Sequence, residues 1–154
     1  MDRPAPPSHR TILDAWNRLI VADDENGHVH RFEYDGLGRR IVRDPDGTAN
    51  TIDYYYNESW QLVEERKDGS SYPLAQYVWH PEYVDALALR WYDEDVDGSG
   101  VLEQYSLHDA QYSVRAVTDD AGSVLERYIY TPYGQCWVQN GPEKGPEKGT
   151  FYFI

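Results

Sequence analysis

Residues 91–100 read WYDEDVDGSG, which sets Asp93, Asp95 and Asp97 at alternate positions directly before Gly98. Carboxylates with that spacing, ahead of a glycine that permits a sharp bend, are the first half of a twelve-position calcium loop. Asp93, Asp95 and Asp97 would stand at positions one, three and five, Gly98 at six and Ser99 at seven. The second half departs from the pattern. The twelfth position, which should be a bidentate glutamate, is Gln104, with Glu103 one place early, and the eighth is Gly100 where an aliphatic residue is usual. Two readings stay open: a calcium site, or a solvated acidic turn. Three carboxylates crowded into five residues repel one another unless a cation or water screens them.

Other candidates for chemistry are thinner. His108-Asp109 and Ser113 are near neighbours, but Ser113 sits in no G-x-S-x-G turn. His28-x-His30 is the closest histidine spacing to a metal pair, and it reads as a strand surface after a glycine turn. Cys136 is the single cysteine and cannot form an internal disulfide. DGLGRR, residues 35–40, has two glycines but opens a strand, not the helix a phosphate loop needs. No enzyme chemistry is expected, and no cofactor other than calcium is suggested. The tryptophans 16, 60, 79, 91 and 137 offer two readings: stacking platforms for sugar rings, or the lining of a concave sheet face.

The elements around these residues are strands. Leu87, Leu89 and Trp91 alternate before the aspartates, and Val101, Glu103, Tyr105 and Leu107 alternate after them. Ile52, Tyr54 and Tyr56 share one face, as do His30, Phe32 and Tyr34, and no window sustains a 3.6-residue period. An aromatic share of 14% in 154 residues also favours strands over disorder. With 27 acids against 14 bases, net charge −13, a nucleic-acid partner is excluded on electrostatic grounds. No run approaches the roughly 18 apolar residues of a spanning helix. The opening MDRPAPPSHR lacks the apolar core of a signal peptide, and the sequence leaves localisation open.

A period organises the strands. Opening pairs such as Leu13-Asp14, Tyr34-Asp35, Tyr56-Asn57 and His108-Asp109 place their second residues at 14, 35, 57, 81, 109 and 132, steps of 21, 22, 24, 28 and 23. Each unit reads as two short runs around a glycine turn: Asn26-Gly27, Asp46-Gly47, Asp68-Gly69 and Ala121-Gly122. Asn-Gly and Asp-Gly favour the type I′ hairpin, whose two central residues both need positive φ. The aspartate loop lengthens the fourth unit. Arg39, Arg40, Arg66, Arg115 and Arg127 are expected to pair across strands with the acids. The expected organisation is a disordered lead-in at 1–11, repeats at 12–107, a distinct segment at 108–138, a low-complexity linker at 139–149 and a tail, TFYFI, at 150–154.

YDGLGRRIVRDPDG, residues 34–47, resembles the YD repeat of the Rhs family. LHDAQYSVRAVTDDAGSVLERYIYTPYG, residues 107–134, resembles the start of the Rhs repeat-associated core region. The fourth unit, with HPEYVDALAL, and Gln111-Tyr112 in the fifth depart from the family spelling. The resemblance implies an all-β fold of repeated antiparallel hairpins in a curved, spiralling sheet, an open segment of a shell. In complete members that shell encloses a C-terminal toxin or effector used in bacterial competition, and such proteins are secreted or cell-surface. A self-cleavage site lies downstream of the core region in many members. Here about 20 residues follow Gly134, so this piece is expected to contribute wall, with the rest of the shell and its cargo as partners. The alternative is an extracellular module that binds glycans or cell surfaces, with a calcium-stiffened loop. Sheet edges left open should make the chain marginally stable alone.

Overall fold

A computed structural model describes residues 10–23, 28–45 and 50–140. They form β1 (Thr11–Leu13), β2 (Leu19–Asp23), β3 (Val29–Tyr34), β4 (Arg40–Asp44), β5 (Ile52–Tyr56) and β6 (Leu62–Lys67), then β7 (Ala75–Trp79), β8 (Leu87–Tyr92), β9 (Leu102–His108), β10 (Val114–Thr118), β11 (Val124–Tyr130) and β12 (Cys136–Asn140). The strands follow one another in chain order as a single twelve-stranded antiparallel meander. The open all-β sheet of repeated hairpins expected from the sequence is the observed fold. No helix of the described residues is long and apolar enough to cross a membrane.

Every strand pairs with its neighbour in sequence, so turns alternate between two edges of the sheet. One edge carries the turns at 14–18, 35–39, 57–61, 80–86, 109–113 and 131–135; the other carries those at 68–74, 93–101 and 119–123. The repeat is laid out across the two edges in this order. The opening Asp is itself the start of a turn, and the described glycine turns at Asp68-Gly69 and Ala121-Gly122 lie on the opposite edge, between the two strands of their units. The fourth and sixth units open at His80 and Thr131, not at residues 81 and 132. Asp68 and Gly69 both take positive φ, 52° and 68°, as a type I′ turn needs. At Ala121-Gly122 only Gly122 does, at 79°, and that turn belongs to the Asp-opened class. Asn26-Gly27 and Asp46-Gly47 lie outside the described residues.

The boundaries also shift. β1 begins at Thr11, inside the expected lead-in, and β12 runs through Gln139 and Asn140, past the expected linker start. Residues 1–9 of the lead-in, residues 141–149 of the linker and the tail at 150–154 lie outside the described residues. The sheet passes without a break through 107/108, within β9.

Because nothing packs as a second layer among the described residues, burial is confined to positions where neighbouring side chains cover a small one. Ile52, Ala75 and Ala86 are the buried apolar residues. The register aligns Tyr54, Glu65, Ala75 and Tyr92 along one face, with Tyr77, Arg90 and Gln104 beside them. The Tyr77 hydroxyl donates to Glu65 Oε1 at 2.8 Å, and burial beside that carboxylate pushes the phenol well above its ordinary range. The opposite face carries the row Tyr55, Glu64, Gln76, Trp91 and Glu103, with Tyr55 and Val78 exposed.

Ala75 is 2% exposed between larger neighbours. Ala75→Leu should overpack that row and lower stability by about 1–3 kcal/mol in a urea melt. Leu107→Ser, at a half-exposed position, should stay within about 0.5 kcal/mol of the parent. Equal costs would contradict the assignment of burial to the Ala75 row.

Candidate functional site

The repeating turn is the built feature of this molecule. In the turn at 35–39, Asp35 N–H donates to the Arg39 carbonyl at 2.9 Å, and Gly38 N–H donates to the Asp35 carbonyl at 3.1 Å. Asp35 Oδ1 then accepts from the N–H groups of Leu37 and Arg39, both at 2.9 Å. The carboxylate thus satisfies two backbone donors that a tight loop would otherwise leave open. The same backbone bonds recur at 14–18, 57–61, 109–113, 119–123 and 131–135. Asn57 replaces the carboxylate with its amide oxygen, and Thr131 with its hydroxyl. At 80–86 the role of acceptor passes to His80 Nδ1, which takes the Glu82 N–H at 3.2 Å.

The fourth residue of each turn needs the left-handed region. It is Gly38 at φ 87°, Gly122 at 79° and Gly134 at 78°, but also Asn17 at 63°, Trp60 at 67° and Tyr112 at 60°. Glycine and asparagine adopt this freely, whereas a bulky side chain there costs roughly 1–2 kcal/mol. Trp60 and Tyr112 offset that cost by packing: Trp60 lies 5.5 Å from the Arg39 guanidinium, and Tyr112 stacks on Tyr83 at 4.5 Å with His80 edge-on at 5.7 Å. A one-residue bulge follows the loop, as at Tyr34↔Arg40, a three-residue hairpin loop closed by a left-handed residue.

The turns are also tied to one another. Arg39 Nε donates to Asp35 Oδ2 at 2.6 Å while Nη1 reaches the carbonyl of Asn57, in the next turn, at 3.2 Å. Its guanidinium lies over Tyr56 and Trp60. Arg18 repeats this with Asp14, the Asp35 carbonyl, Trp16 and Tyr34. Gln61 is the neutral version: it accepts from Asn57 Nδ2 at 2.8 Å and donates to the Val84 carbonyl at 2.6 Å. Further along, Ser113 stands where the arginine would be, and Arg115 takes over, bonding Asp109 Oδ2 at 2.8 Å beneath Tyr130. The residue before the turn completes the link. Tyr34 donates to the Leu19 carbonyl, Tyr56 to that of Arg40, and Trp79 Nε1 to that of Leu62, at 2.9, 3.0 and 2.7 Å.

These contacts correct two expectations. Arg39 and Arg115 pair with Asp35 and Asp109 in their own or the adjoining turn, beside a bulge, and Arg66 pairs with Glu64 two residues earlier on the same face of β6; Arg40 instead lies over Phe32 and Tyr54. A cross-strand pair does form, between Arg31 and Asp44 at 3.9 Å. The tryptophans do not line one sheet face. Trp16 and Trp60 project from edge turns, 76% and 57% exposed. Arg18 and Gln61, which carry the ladder, were not singled out from the sequence; their place four residues after the turn-opening residue was the available signal.

Asp93 is 5% exposed, with its Oδ1 accepting from Val96 N–H and Oδ2 from Gly98 N–H at 3.0 and 2.8 Å. Its own N–H holds the Leu74 carbonyl at 2.9 Å. Asp95 is exposed. Asp97 is exposed too, and its Oδ1 accepts from Ser99 Oγ and N–H, which hold the carboxyl below the ordinary range. The three carboxylates do not converge: among the described residues no group of three or more His, Cys, Asp or Glu could hold a metal ion. Ser113 N–H simply donates to Asp109 Oδ1, an architectural contact.

With this geometry in place, the family model described as RHS Repeat matches residues 14–49, which contain the Arg18 and Arg39 turns. No curated protein matches. The solved structure "Crystal Structure of TcdB2-TccC3-Cdc42" is similar at a TM-score of 0.57 and 19% identity, over 84% of this chain and 7% of that one. "Crystal Structure of TcdB2-TccC3-TEV" aligns over 85% of this chain and 9% of that one, at 10% identity and a TM-score of 0.43. The first likeness shows the fold; this chain spans a small part of that protein's length.

Two predictions follow from the turns. Partial burial works against the charge of Asp35, but the Arg39 guanidinium and the N–H groups of Arg39 and Leu37 outweigh it and hold the carboxyl below the ordinary carboxylate range. Asp14 behaves likewise, burial being outweighed by the Arg18 N–H and guanidinium and the Trp16 N–H. For Asp109 the Gln111 N–H leads, and Arg115 adds to it. A lowered folded pKa means stability that is fully present above the unfolded value and lost as pH falls through the folded one. Asp35→Asn should therefore flatten the decline of Tm between roughly pH 5 and 2; parallel declines would deny Asp35 its role. Asp93→Ala, which strands two N–H groups, should cost about 1–3 kcal/mol and Asp95→Ala under about 0.5, in EDTA as in calcium. A matching pair of costs seen only in calcium would establish the calcium loop instead.

Proposed function

We propose that this chain is a non-catalytic wall segment of a larger YD-repeat shell. The observation that carries the reading is the ladder along one sheet edge, in which Arg18, Arg39 and Gln61 each bind a backbone carbonyl of the following turn. Such a ladder positions repeats relative to one another and arranges no nucleophile, acid or base for chemistry. The RHS Repeat match over residues 14–49 and the likeness to the TcdB2-TccC3-Cdc42 structure support it. Residues 108–138, with turns at 109, 119 and 131, would begin the core region that follows the repeats. The partners of this segment are then the adjoining shell and the polypeptide it encloses.

A single layer with a buried core of Ile52, Ala75 and Ala86 gains stability by lengthening, since each repeat buries its surface against its neighbours. Inserting a second copy of residues 35–56 after Tyr56 should raise the thermal midpoint by several degrees and sharpen the transition. A midpoint unchanged or lowered by the added repeat would argue that the sheet is not one segment of a repeating wall.

A further inference from the structure

Between the 68–74 connection and the 93–101 loop, on the face bearing Gln76, Trp91 and Glu103, lies an open cleft of about 330 Å³. Its walls include the Trp91 side of β8, Asp93, Gly98 and Glu103. Gly98 is packed so closely that a Cβ would stand 2.6 Å from the Tyr72 ring, and its φ of 81° disfavours a side chain further, so this wall needs a glycine here.

The charges are lopsided. Glu103 accepts from the Tyr105 hydroxyl at 2.6 Å and from Trp91, and these donors hold it ionised below the ordinary glutamate range. Asp93 is buried on backbone amides. Neither carboxylate has an ion-pair partner among the described residues. On that face Arg66 is bound to Glu64 at 2.6 Å. Gln76 commits its Nε2 to Glu64 Oε2 at 2.7 Å, which turns the remaining amide oxygen into a free acceptor.

The protein shows elsewhere how it holds a guanidinium. Arg18 and Arg39 each lie against a carboxylate, a carbonyl oxygen and aromatic rings. The cleft assembles the same three components, Glu103, the Gln76 amide oxygen and the Trp91 indole, with no arginine of its own. We propose that it receives an arginine side chain from a partner polypeptide. A planar guanidinium stacks on the indole and donates to the carboxylate at once, whereas the compact ammonium of lysine does not match both. This assignment stands independently of the shell reading.

The test is NMR on the isotope-labelled chain, with the Trp91 indole resonance identified by its loss in Trp91→Phe. The probe is the peptide acetyl-Gly-Arg-Gly-amide, set against its citrulline analogue, calcium chloride and methyl glucoside. The arginyl peptide should shift the Trp91 resonance saturably, weakened roughly tenfold by Glu103→Gln and by added salt. The neutral citrulline peptide should leave it in place, and Gln76→Glu, which adds a carboxylate at the rim, should tighten binding. Dispersion of the remaining amide resonances reports folding in each variant. No shift, an equal response to citrulline, indifference to Glu103→Gln and Gln76→Glu, or a response confined to calcium or the glycoside would each overturn the proposal.

Discussion

The fold rests on one hydrogen-bonded arrangement: a turn-opening side chain that accepts from two backbone amides of its own loop. A sheet built wholly of sequence-adjacent hairpins must reverse direction after nearly every strand, and each reversal leaves amide groups that no strand can satisfy. The aspartates at 14, 35 and 109 answer this locally, without help from a distant element. The opener is not required to be charged. Asn57, His80 and Thr131 serve with an amide oxygen, an imidazole nitrogen and a hydroxyl, since what the loop needs is an acceptor of the right reach.

The second carboxylate oxygen is where charge becomes useful. It recruits the arginine four residues on, and that guanidinium has donors left over for the next turn's carbonyl. A single side chain therefore orders its own loop and spaces it from its neighbour. Tyr34 and Tyr56, before their turns, work on the same problem from the strand side, with the ring under the guanidinium and the hydroxyl on a neighbouring strand's carbonyl. This explains why the chain can be rich in Tyr and Arg, poor in aliphatic residues and still ordered. Its cohesion runs along the sheet edge more than through a core, and buried apolar side chains are correspondingly few.

Where the pattern lapses, packing replaces it. The 80–86 connection opens on His80 instead of a carboxylate and has no arginine, and Tyr83 stacking on Tyr112 bridges to the next turn. Strain at Trp60 and Tyr112 is tolerated for the same reason, because the side chain that makes the left-handed backbone costly also supplies the contact between turns. The acidic loop at 93–101 is ordered by a single buried carboxylate, Asp93, while Asp95 and Asp97 remain in solvent.

Alternation of Ile52, Tyr54 and Tyr56, the period drifting between 21 and 28 residues and the absence of a helical period were enough to determine strands, hairpins and an all-β sheet. These are local properties: a two-residue pleat and a turn write themselves into consecutive residues. What the sequence could not determine was which turn lay on which edge, because Asp-x-x-Gly and Asp-Gly both spell a reversal and only pairing decides where each one falls. Nor could it say where the charged side chains would go. Arg39 was expected across the strand, but a one-residue bulge beside its turn offsets the register and swings the guanidinium back over its own loop. The aspartates at 93, 95 and 97 spell a common ligand set in one dimension. In the fold Asp93 is seated beneath the loop against Leu74, while Asp95 and Asp97 are exposed, an asymmetry that alternate spacing does not spell.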